Sequence, residues 1–529
     1  MTLTTLLIRI GIVSVLLTLL MFFGIIKTRR ANFAVQEPDQ ETDVTDNDRE
    51  LSETDKGKLA FRKPGNFLMS LLQNFCGVLF LFSGWVKAVD PLGTAYKMEQ
   101  YFAEFESTFQ GTWMKFIAPL FPLLSEYAIG FSVAMIVIEI ILGLMLIMGM
   151  RGKLTAWAFF LLVAFFTFLT GFTYLTGYVP NGSNFFDFAS WGEYKKSNMK
   201  VTDCGCFGDF IKLEPYTSFL KDVALLFPAL FFLFRSKSMH RMFNAPVRTG
   251  LVGLGTVGLL VYCISNFAWD IPHADFRPFN VGKDVKTQKQ IEADAQAEVK
   301  ITDWKLKHND TGEELIVENG EYLGNYKKYK GVYKVVDQIK SEPTMAITKI
   351  SDFTIEDADG NDLTDNILSI PGAQLLIVNY KLKGGQSVEK TRTVRDSIFK
   401  MDTVMMDKKE SIVKTFDKVV ERTESYDDYV WDAEYLDKHK KLKPFTDAAK
   451  SAGLPVTMAI GGADEMQIKD FNTDTQLNIN YGMADDILLK TIVRSNPGVV
   501  LFKDGKILDK WHINKLPDFN SVQNQYLKG

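Results

Sequence analysis

The residues best suited to chemistry are two cysteines separated by one glycine, Cys204 and Cys206, in the segment DCGCFGDF at positions 203–210. A disulfide between them requires Cα atoms about 4.4–6.8 Å apart, so the chain must bend at Gly205. Such a small ring is strained, and a strained, exposed disulfide is reduced more easily than a structural one. The pair is therefore a candidate catalytic site for dithiol–disulfide exchange.

The same pair also fits two structural interpretations, a disulfide clip or reduced thiols of no consequence. Exchange is favoured because a clip across three residues removes little conformational entropy from the unfolded chain. Asp203 and Asp209 flank the pair and would raise the pKa of its thiols. The other two cysteines, Cys76 and Cys263, belong to apolar runs and are interpreted as small core residues, with a relay role for Cys76 as the alternative.

Two ionisable residues, Lys87 and Glu139, lie within apolar runs. Intramembrane charges usually face a polar cavity or a partner, so both are candidate cofactor-binding residues. The alternatives are a Lys87 that extends to the membrane surface and a protonated Glu139 that serves helix packing. Gly84 would permit close helix approach beside Lys87, and Gly143 shares a helix face with Glu139.

These residues must be positioned by membrane helices. A span needs about 20 apolar residues, and the first half of the chain has six such runs, at 3–26, 67–89, 127–150, 154–178, 218–234 and 249–268. The first run is interpreted as a retained anchor (1–27), because its basic residues follow the apolar stretch and no cleavage site follows them.

Lysine and arginine in the short loops predict the orientation. Residues 27–63 carry eight of them, 151–153 two and 235–248 four, which places these loops in the cytoplasm. The loop that holds Cys204 and everything after residue 268 are then periplasmic, in a bacterial inner membrane, where disulfides can form. The lysines at 195, 196, 200 and 212 weaken this contrast. Residues 28–65 are acidic and polar and predict a disordered cytoplasmic linker.

Composition excludes some functions. The net charge of −4 over 529 residues and the lack of a basic block argue against nucleic acid as a partner. The histidines have no metal-ligand spacing, which argues against a tightly bound metal; they are His240, His273, His308, His439 and His512. No tightly bound cofactor is expected either.

The segment FSGWVKAVDPLGTAYKMEQYF, the Glu139-to-Gly143 helix and the CGCFG element resemble the DoxX/MauE family of redox-associated membrane proteins. The resemblance covers about residues 66–279 and implies a four-helix core in a bundle at 66–282. It also implies a role in periplasmic disulfide formation through Cys204 and Cys206, with a quinone as electron acceptor. The chain departs from small family members by its leading span, its linker and its long C-terminal part.

That C-terminal part contains no cysteine and reads as a soluble protein. Residues 283–299 predict a helix or stalk, and 300–346 a small module, both periplasmic. Residues 350–368 predict a β-hairpin, and 375–382 a buried strand. Further on come LPVTMAIGG, SNPGVVLFKDGKILDKWH and a terminal helix.

This order of elements resembles the thioredoxin fold, in particular its peroxiredoxin and TlpA-like branch, over residues 347–529, with a charged insertion near 384–431. Pro497 would follow the family's cis peptide bond. After Leu382, where the family has C-x-x-C at a helix start, the sequence reads KGGQ. Thiol chemistry by this domain alone is therefore excluded, and binding of a partner remains.

The sequence thus predicts an α-helical membrane bundle of about six spans with a soluble periplasmic α/β thioredoxin-like domain. The leading hypothesis is a thiol–disulfide redox protein in which Cys204 and Cys206 exchange electrons with a client or a quinone. The alternative is a non-catalytic scaffold subunit of a cell-envelope complex, with a structural Cys-Gly-Cys and an interaction-only domain. Under either hypothesis the partners are membrane lipid and a periplasmic or envelope protein.

Overall fold

The computed structural model describes residues 2–23, 28–29, 67–406 and 409–528. The chain divides into two compact units, Met1–Phe276 and Arg277–Gly529, close to the boundary predicted after Gly282. The predicted acidic linker at 28–65 lies outside the described residues, apart from residues 28–29.

The described part of the first unit is helical, with one short strand pair. Its elements are α1 (Leu3–Phe22), β1 (Thr28–Arg29), α2 (Phe67–Val89), α3 (Pro91–Gln110), α4 (Leu120–Glu126), α5 (Ala128–Met148), α6 (Gly152–Thr176), α7 (Pro215–Arg235), β2 (Arg241–Met242) and α8 (Ala245–Ile264). Six helices are long and apolar enough to cross a membrane, namely α1, α2, α5, α6, α7 and α8. The six predicted spans are thus confirmed, and the protein is a multi-pass membrane protein.

Helices α2 and α5 pack closely through facing glycines. A Cβ atom added to Gly143 would lie 2.7 Å from Leu81 N and 2.8 Å from Gly77 O, and one added to Gly84 would lie 2.4 Å from Ile140 Cγ1. Only glycine allows the two backbones to approach this closely. The close contact brings the two buried ionisable residues of α2 and α5 together.

Near the start of α2, at the end of the bundle away from Lys87, Gln73 forms hydrogen bonds to α5 and to the segment between α7 and α8. Its Nε2 donates to Leu146 O at 2.7 Å, and its Oε1 accepts from His240 N at 3.1 Å. Gln73 is fully buried, so these bonds satisfy polar atoms that would otherwise destabilise the bundle. This end is therefore held by a neutral hydrogen-bonded cluster.

Helix α3 was not among the predicted elements, because residues 91–110 are too polar to count as a span. Asp90 caps the helix by accepting from Gly93 N at 3.1 Å, and Pro91 occupies its first turn. α3 packs against α5. It presents Lys97 and Tyr101, spaced i and i+4, on one face.

The second unit combines two sheets, a long ribbon and several helices. Its elements are α9 (Val285–Ala297), β3 (Ile301–His308), β4 (Glu314–Glu318), α10 (Asn319–Gly324), α11 (Tyr326–Tyr329), β5 (Tyr333–Lys340), α12 (Thr364–Leu368), β6 (Ala373–Asn379), β7 (Gly384–Met406), β8 (Lys409–Trp431), α13 (Ala433–Ser451), β9 (Val456–Ile460), α14 (Glu465–Thr475), β10 (Asn480–Met483), α15 (Asp486–Ile492), β11 (Gly498–Lys503), β12 (Lys506–His512) and α16 (Phe519–Val522).

The main sheet has the strand order β10-β9-β6-β11-β12. Strands β6, β9 and β10 are parallel, whereas β11 is antiparallel to both β6 and β12. Successive residues of β6, Leu375 to Val378, are all buried, so the sheet is covered on both faces. This confirms the predicted buried strand. A smaller antiparallel sheet, β4-β3-β5, forms the module predicted at 300–346.

Two sequence predictions in this unit are met in a shorter form. The hairpin predicted at 350–368 is reduced to a tight antiparallel turn, in which Glu356 bridges Asp362 and Leu363 N donates to Ile355 O at 2.8 Å, and α12 follows it. Helix α9 forms as predicted but is no stalk, since it packs against β12 and α12. Its Glu292 is fully buried and accepts from Thr348 Oγ1 at 2.7 Å. Glu292 Oε2 also accepts from Thr348 N and Ser351 N at 3.0 and 3.1 Å, which stabilises the turn at 348–351.

The predicted insertion at 384–431 is an antiparallel ribbon of two 23-residue strands, β7 and β8. At about 3.4 Å per residue, each strand is on the order of 75 Å long. The segment KGGQ, which stands where the resembled family has a helix start, therefore enters strand β7. The helix begins at Ala433, after the ribbon, with Asp432 as its cap.

Candidate functional site

Cys204 and Cys206 lie in a tight loop that leads into α7. Gly205 between them has a φ of +61°, a left-handed conformation that glycine adopts without strain, and Gly208 N bonds to Gly205 O at 3.1 Å. Phe207 is 1% exposed and anchors the loop in the apolar core of the bundle. The bend expected at Gly205 is therefore present.

Both cysteines are free thiols in the structure, so the predicted disulfide remains a prediction. Burial, together with the smaller effects of Cys206 and Asp203, raises the pKa of Cys204 to about 12. Burial also raises the pKa of Cys206, but Lys221 and Lys87 act against it. The expected effect of Asp203 is confirmed. Asp209 instead pairs with Lys212 at 3.5 Å and is not among the main influences on either thiol.

A buried ion pair lies directly beneath the loop. Lys87 Nζ of α2 is 2.7 Å from Glu139 Oε2 of α5, and these residues are 6% and 2% exposed. Ser83 Oγ is 2.8 Å from Glu139 Oε1 and 2.7 Å from the carbonyl oxygen of Cys206. A single hydroxyl thus connects the ion pair to the cysteine loop. The Lys87 side chain is thus directed toward Glu139 inside the bundle.

A second buried pair lies on α7, at the other side of the loop. Lys221 Nζ contacts Asp222 Oδ1, and their side chains are 13% and 2% exposed. Thr170 Oγ1 of α6 donates to Asp222 Oδ2 at 3.1 Å. Ser218, one turn earlier on α7, is fully buried and lies beside both thiols, without a hydrogen bond of regular geometry to any described residue.

Helix α3 covers the loop from a third side. Lys97 Nζ is 2.9 Å from Asp203 Oδ2 and its side chain lies against Gly205. Tyr101 adjoins Cys204 and accepts from Thr173 Oγ1 at 3.2 Å. Burial raises the pKa of Tyr101 well above its usual range, so it stays a neutral phenol beside the thiols.

The structure brings together four residues that the sequence singled out separately, Cys204, Cys206, Lys87 and Glu139. It leaves Cys76 and Cys263 fully buried in the bundle core, as expected of small core residues. Sequence reasoning missed the contribution of Lys221 and Asp222, of Tyr101 and of Thr170. The adjacent charged residues Lys221 and Asp222 lie within an apolar run and could have been predicted as site residues from the sequence, because intramembrane charges are costly unless paired.

In the second unit, the peptide bond before Pro497 is cis, as predicted. Beside it a buried hydrogen-bonded group joins β6, α13 and the segment before β11. His439 Nε2 lies 2.8 Å from Asn379 Oδ1, Tyr435 Oη donates to the same atom at 3.1 Å, and Asn496 Nδ2 donates to Lys381 O at 2.6 Å. Burial lowers the pKa of His439 to about 4, so the ring is neutral at physiological pH.

In the part of the chain that the structure describes, no three His, Cys, Asp or Glu side chains are grouped as ligands for a metal ion. The chemistry available at the cysteine loop is that of two thiols, two buried lysine–carboxylate pairs, a phenol and hydroxyl groups. These groups suit thiol exchange and proton transfer.

A family model, described as methylamine utilisation protein MauE, matches residues 65–183. The matched segment contains α2, α3, α5 and α6, and with them Lys87, Tyr101, Glu139 and Thr170. It ends before Cys204, so the match covers the helices beneath the loop and not the loop itself. No curated protein and no solved structure matches the chain. The helical segment is thus MauE-like.

Proposed function

We propose that this MauE-like, multi-pass membrane protein is a thiol–disulfide exchange component, in which Cys204 and Cys206 form the redox pair. The observation that carries the proposal is the contact between the cysteine loop and buried charges, through Ser83, which lies 2.7 Å from Cys206 O and 2.8 Å from Glu139 Oε1. Buried charges in a membrane bundle are costly and mark functional sites. A loop that served only as a clip would not require them.

The reaction is reversible exchange. When the reduced pair attacks a disulfide of a client protein, the client S–S bond breaks and a Cys204–Cys206 bond forms. Two electrons and two protons pass to the client, which leaves as a dithiol. In the opposite direction, the oxidised pair takes two electrons and two protons from a client dithiol and passes them to an acceptor, for which a membrane quinone is the chemical class.

An aromatic cluster beside the loop supports an acceptor of that class. Phe82 lies 5.7 Å from Phe210 and 6.0 Å from Trp85, and Phe210 lies 4.9 Å from Phe276, between ring centroids. Trp85 is 38% exposed, on a helix apolar enough to face lipid. A flat ring that enters from the bilayer would stack against such side chains.

The proposed location is the bacterial inner membrane, with the cysteine loop and the second unit in the periplasm. The basic short loops support this orientation. An oxidising compartment supplies the disulfides that the exchange requires.

We further propose that the second unit is a thioredoxin-like domain that binds the partner protein and does no thiol chemistry. Its parallel strands β6, β9 and β10, its antiparallel β11 and β12 and the cis bond before Pro497 support this assignment. The start of α13 carries Asp432, Ala433 and Glu434, without a cysteine.

The test is thiol trapping in native membranes. Membranes are acid-quenched, alkylated with a mass-tagging maleimide before and after reduction, and resolved by non-reducing electrophoresis. Cys204→Ser should form a mixed disulfide through Cys206 that dithiothreitol removes, and wild type should show a partly oxidised pair. Cys263→Ala is the matched control, since it removes a buried cysteine of α8, and should leave both results unchanged.

One result would remove the redox proposal in favour of the scaffold alternative. This is a pair that stays fully reduced in native membranes, with no adduct from Cys204→Ser and no change in client oxidation in the double serine variant. If the double serine variant is found in the membrane fraction and stays folded after extraction in detergent, the cysteines are dispensable for the fold.

A further inference from the structure

The small sheet of the second unit carries a cluster of lysines and tyrosines. Residues 326–334, called here the lysine–tyrosine segment, read YKKYKGVYK and contain no acidic residue. They form α11, the turn after it and the start of β5. The cluster is too short to appear as a basic block in the sequence, because Glu318, Glu321 and Asp337 flank it. All of its lysines are exposed; they are Lys327, Lys328, Lys330 and Lys334.

Two buried tyrosines hold α10 and α11 on the sheet. The Tyr322 ring stacks on Trp304 of β3, with ring centroids 4.5 Å apart, and its centroid lies 5.6 Å from that of Tyr329. Tyr322 and Tyr329 are 7% and 2% exposed. Tyr329 Oη also donates to Glu321 Oε1 at 2.8 Å. The two short helices therefore have one side fixed toward the sheet and one side toward solvent.

The solvent side of α10 and α11 is both apolar and basic. Leu323 and Tyr326 are 61% and 47% exposed. Lys330 Nζ lies 5.8 Å from the centroid of the Tyr326 ring. Lys328 Nζ lies 5.3 Å from the centroid of the Tyr329 ring, so both ammonium groups stay close to aromatic surface. Exposed leucine and tyrosine beside lysine is typical of segments that lie among the headgroups of a bilayer.

Neighbouring carboxylates do not neutralise the charge of the lysine–tyrosine segment. Among the described residues, none of its four lysines forms an ion pair. Glu321, the acid of α10, is engaged by the Tyr329 hydroxyl. Three lysines of α13 do pair with acids, at 2.7–3.0 Å: Lys438 with Glu434, Lys441 with Asp437 and Lys443 with Asp447. A group of four positive charges without matching acids attracts an anionic surface.

We propose that the lysine–tyrosine segment, together with Leu323, is a docking surface for the anionic headgroups of membrane phospholipids. The lysines meet the headgroup phosphates, and Leu323 and Tyr326 enter the boundary between headgroups and acyl chains. A small surface suffices, because the chain already spans the bilayer and keeps this surface at a high effective concentration of lipid. The inference does not depend on the proposed thiol exchange.

The experiment uses the full-length protein in lipid nanodiscs, with a fluorescent probe at position 323. Leu323→Cys is combined with Cys204→Ser and Cys206→Ser and labelled with an environment-sensitive maleimide dye; the remaining Cys76 and Cys263 are fully buried. Quenching of the dye by spin-labelled lipid is compared between discs of neutral phosphatidylcholine and discs that also contain anionic phosphatidylglycerol. Quenching should be strong in the anionic discs, weak in the neutral discs and lost at high salt, which screens the lysines.

A triple variant measures the contribution of the charges. Lys327→Gln/Lys328→Gln/Lys330→Gln should lower the ratio of docked to free surface on the order of a hundredfold, because each lysine near an anionic membrane contributes about fivefold. Lys438→Gln/Lys441→Gln/Lys443→Gln is the matched control, since it changes the net charge equally on α13, and it should leave quenching unchanged.

Equal quenching in both kinds of disc, or equal loss from the two triple variants, would overturn the inference. Quenching that persists in the first triple variant would show that the dye enters the bilayer by itself and would also overturn it. A dye that responds only when a native membrane extract is added would assign the surface to a protein partner and remove the lipid assignment.

Discussion

Replacement of Lys87 by methionine tests whether the bundle depends on its buried ion pair. Methionine has a similar length, so Lys87→Met removes the charge with little change in packing volume. Glu139 is 2% exposed, and among the described residues the Ser83 hydroxyl at 2.8 Å would be its remaining hydrogen-bond donor. Loss of one partner from a buried pair costs about 3–5 kcal/mol, because the other charge stays buried and uncompensated. We therefore expect a loss of that size in the free energy of unfolding.

The double variant Lys87→Met/Glu139→Gln separates charge from packing. Replacement of both charges by neutral groups of similar volume is often nearly neutral. The double variant should therefore be more stable than Lys87→Met alone, and the coupling energy of the cycle should reach about 2 kcal/mol, within the range for residues in direct contact.

The assay is reversible unfolding in mixed detergent micelles, with increasing denaturing detergent and tryptophan fluorescence as the signal. Lys153→Met at the start of α6 is the control, since Lys153 is exposed, and its effect should stay within about 0.5 kcal/mol. The reasoning fails if Lys87→Met costs no more than Lys153→Met, or if the double variant loses the sum of the two single losses.

Two further predictions concern packing and topology. Gly143→Leu should separate α2 from α5 and prevent folding, because a Cβ atom there would lie 2.7 Å from Leu81 N. Gly130→Leu on the same helix is the control and should fold, since a Cβ atom at that position meets nothing within 4 Å. Gel filtration in detergent distinguishes folded from aggregated protein, and equal behaviour of the two variants would contradict the close approach of the helices. A membrane-impermeant maleimide should label Ser387→Cys in intact spheroplasts but not Lys153→Cys, because the basic loops predict that residue 387 is periplasmic and residue 153 cytoplasmic. Labelling of Lys153→Cys alone would show that the topology is the reverse.

Much of the membrane half could be predicted from sequence. The number and approximate bounds of the spans follow from length and apolar composition, which the bilayer dictates for any sequence. Gly84 indicated close helix packing, and the bend at Gly205 followed from the spacing of the two cysteines. Each of these features depends on residues close together in the chain.

In the second unit, local pattern predicted the buried strand β6 and the cis bond before Pro497. It did not predict how short the antiparallel turn at 355–363 is, nor the packing of α9 against α12, which depend on contacts from distant segments. Glu292 of α9 binds Thr348 and Ser351, 56 and 59 residues away, which fixes both the helix and the segment before α12.

The identity of the site itself was decided by tertiary structure. The sequence determined which residues carry chemistry, since Cys204, Cys206, Lys87 and Glu139 are distinctive in type and location. Their convergence, and the recruitment of Tyr101, Lys221 and Asp222, came from the packing of α2, α3, α5 and α7 around one loop. A buried charge needs a partner, and that partner is often distant in the sequence. Local sequence patterns therefore do not show which residues will pair.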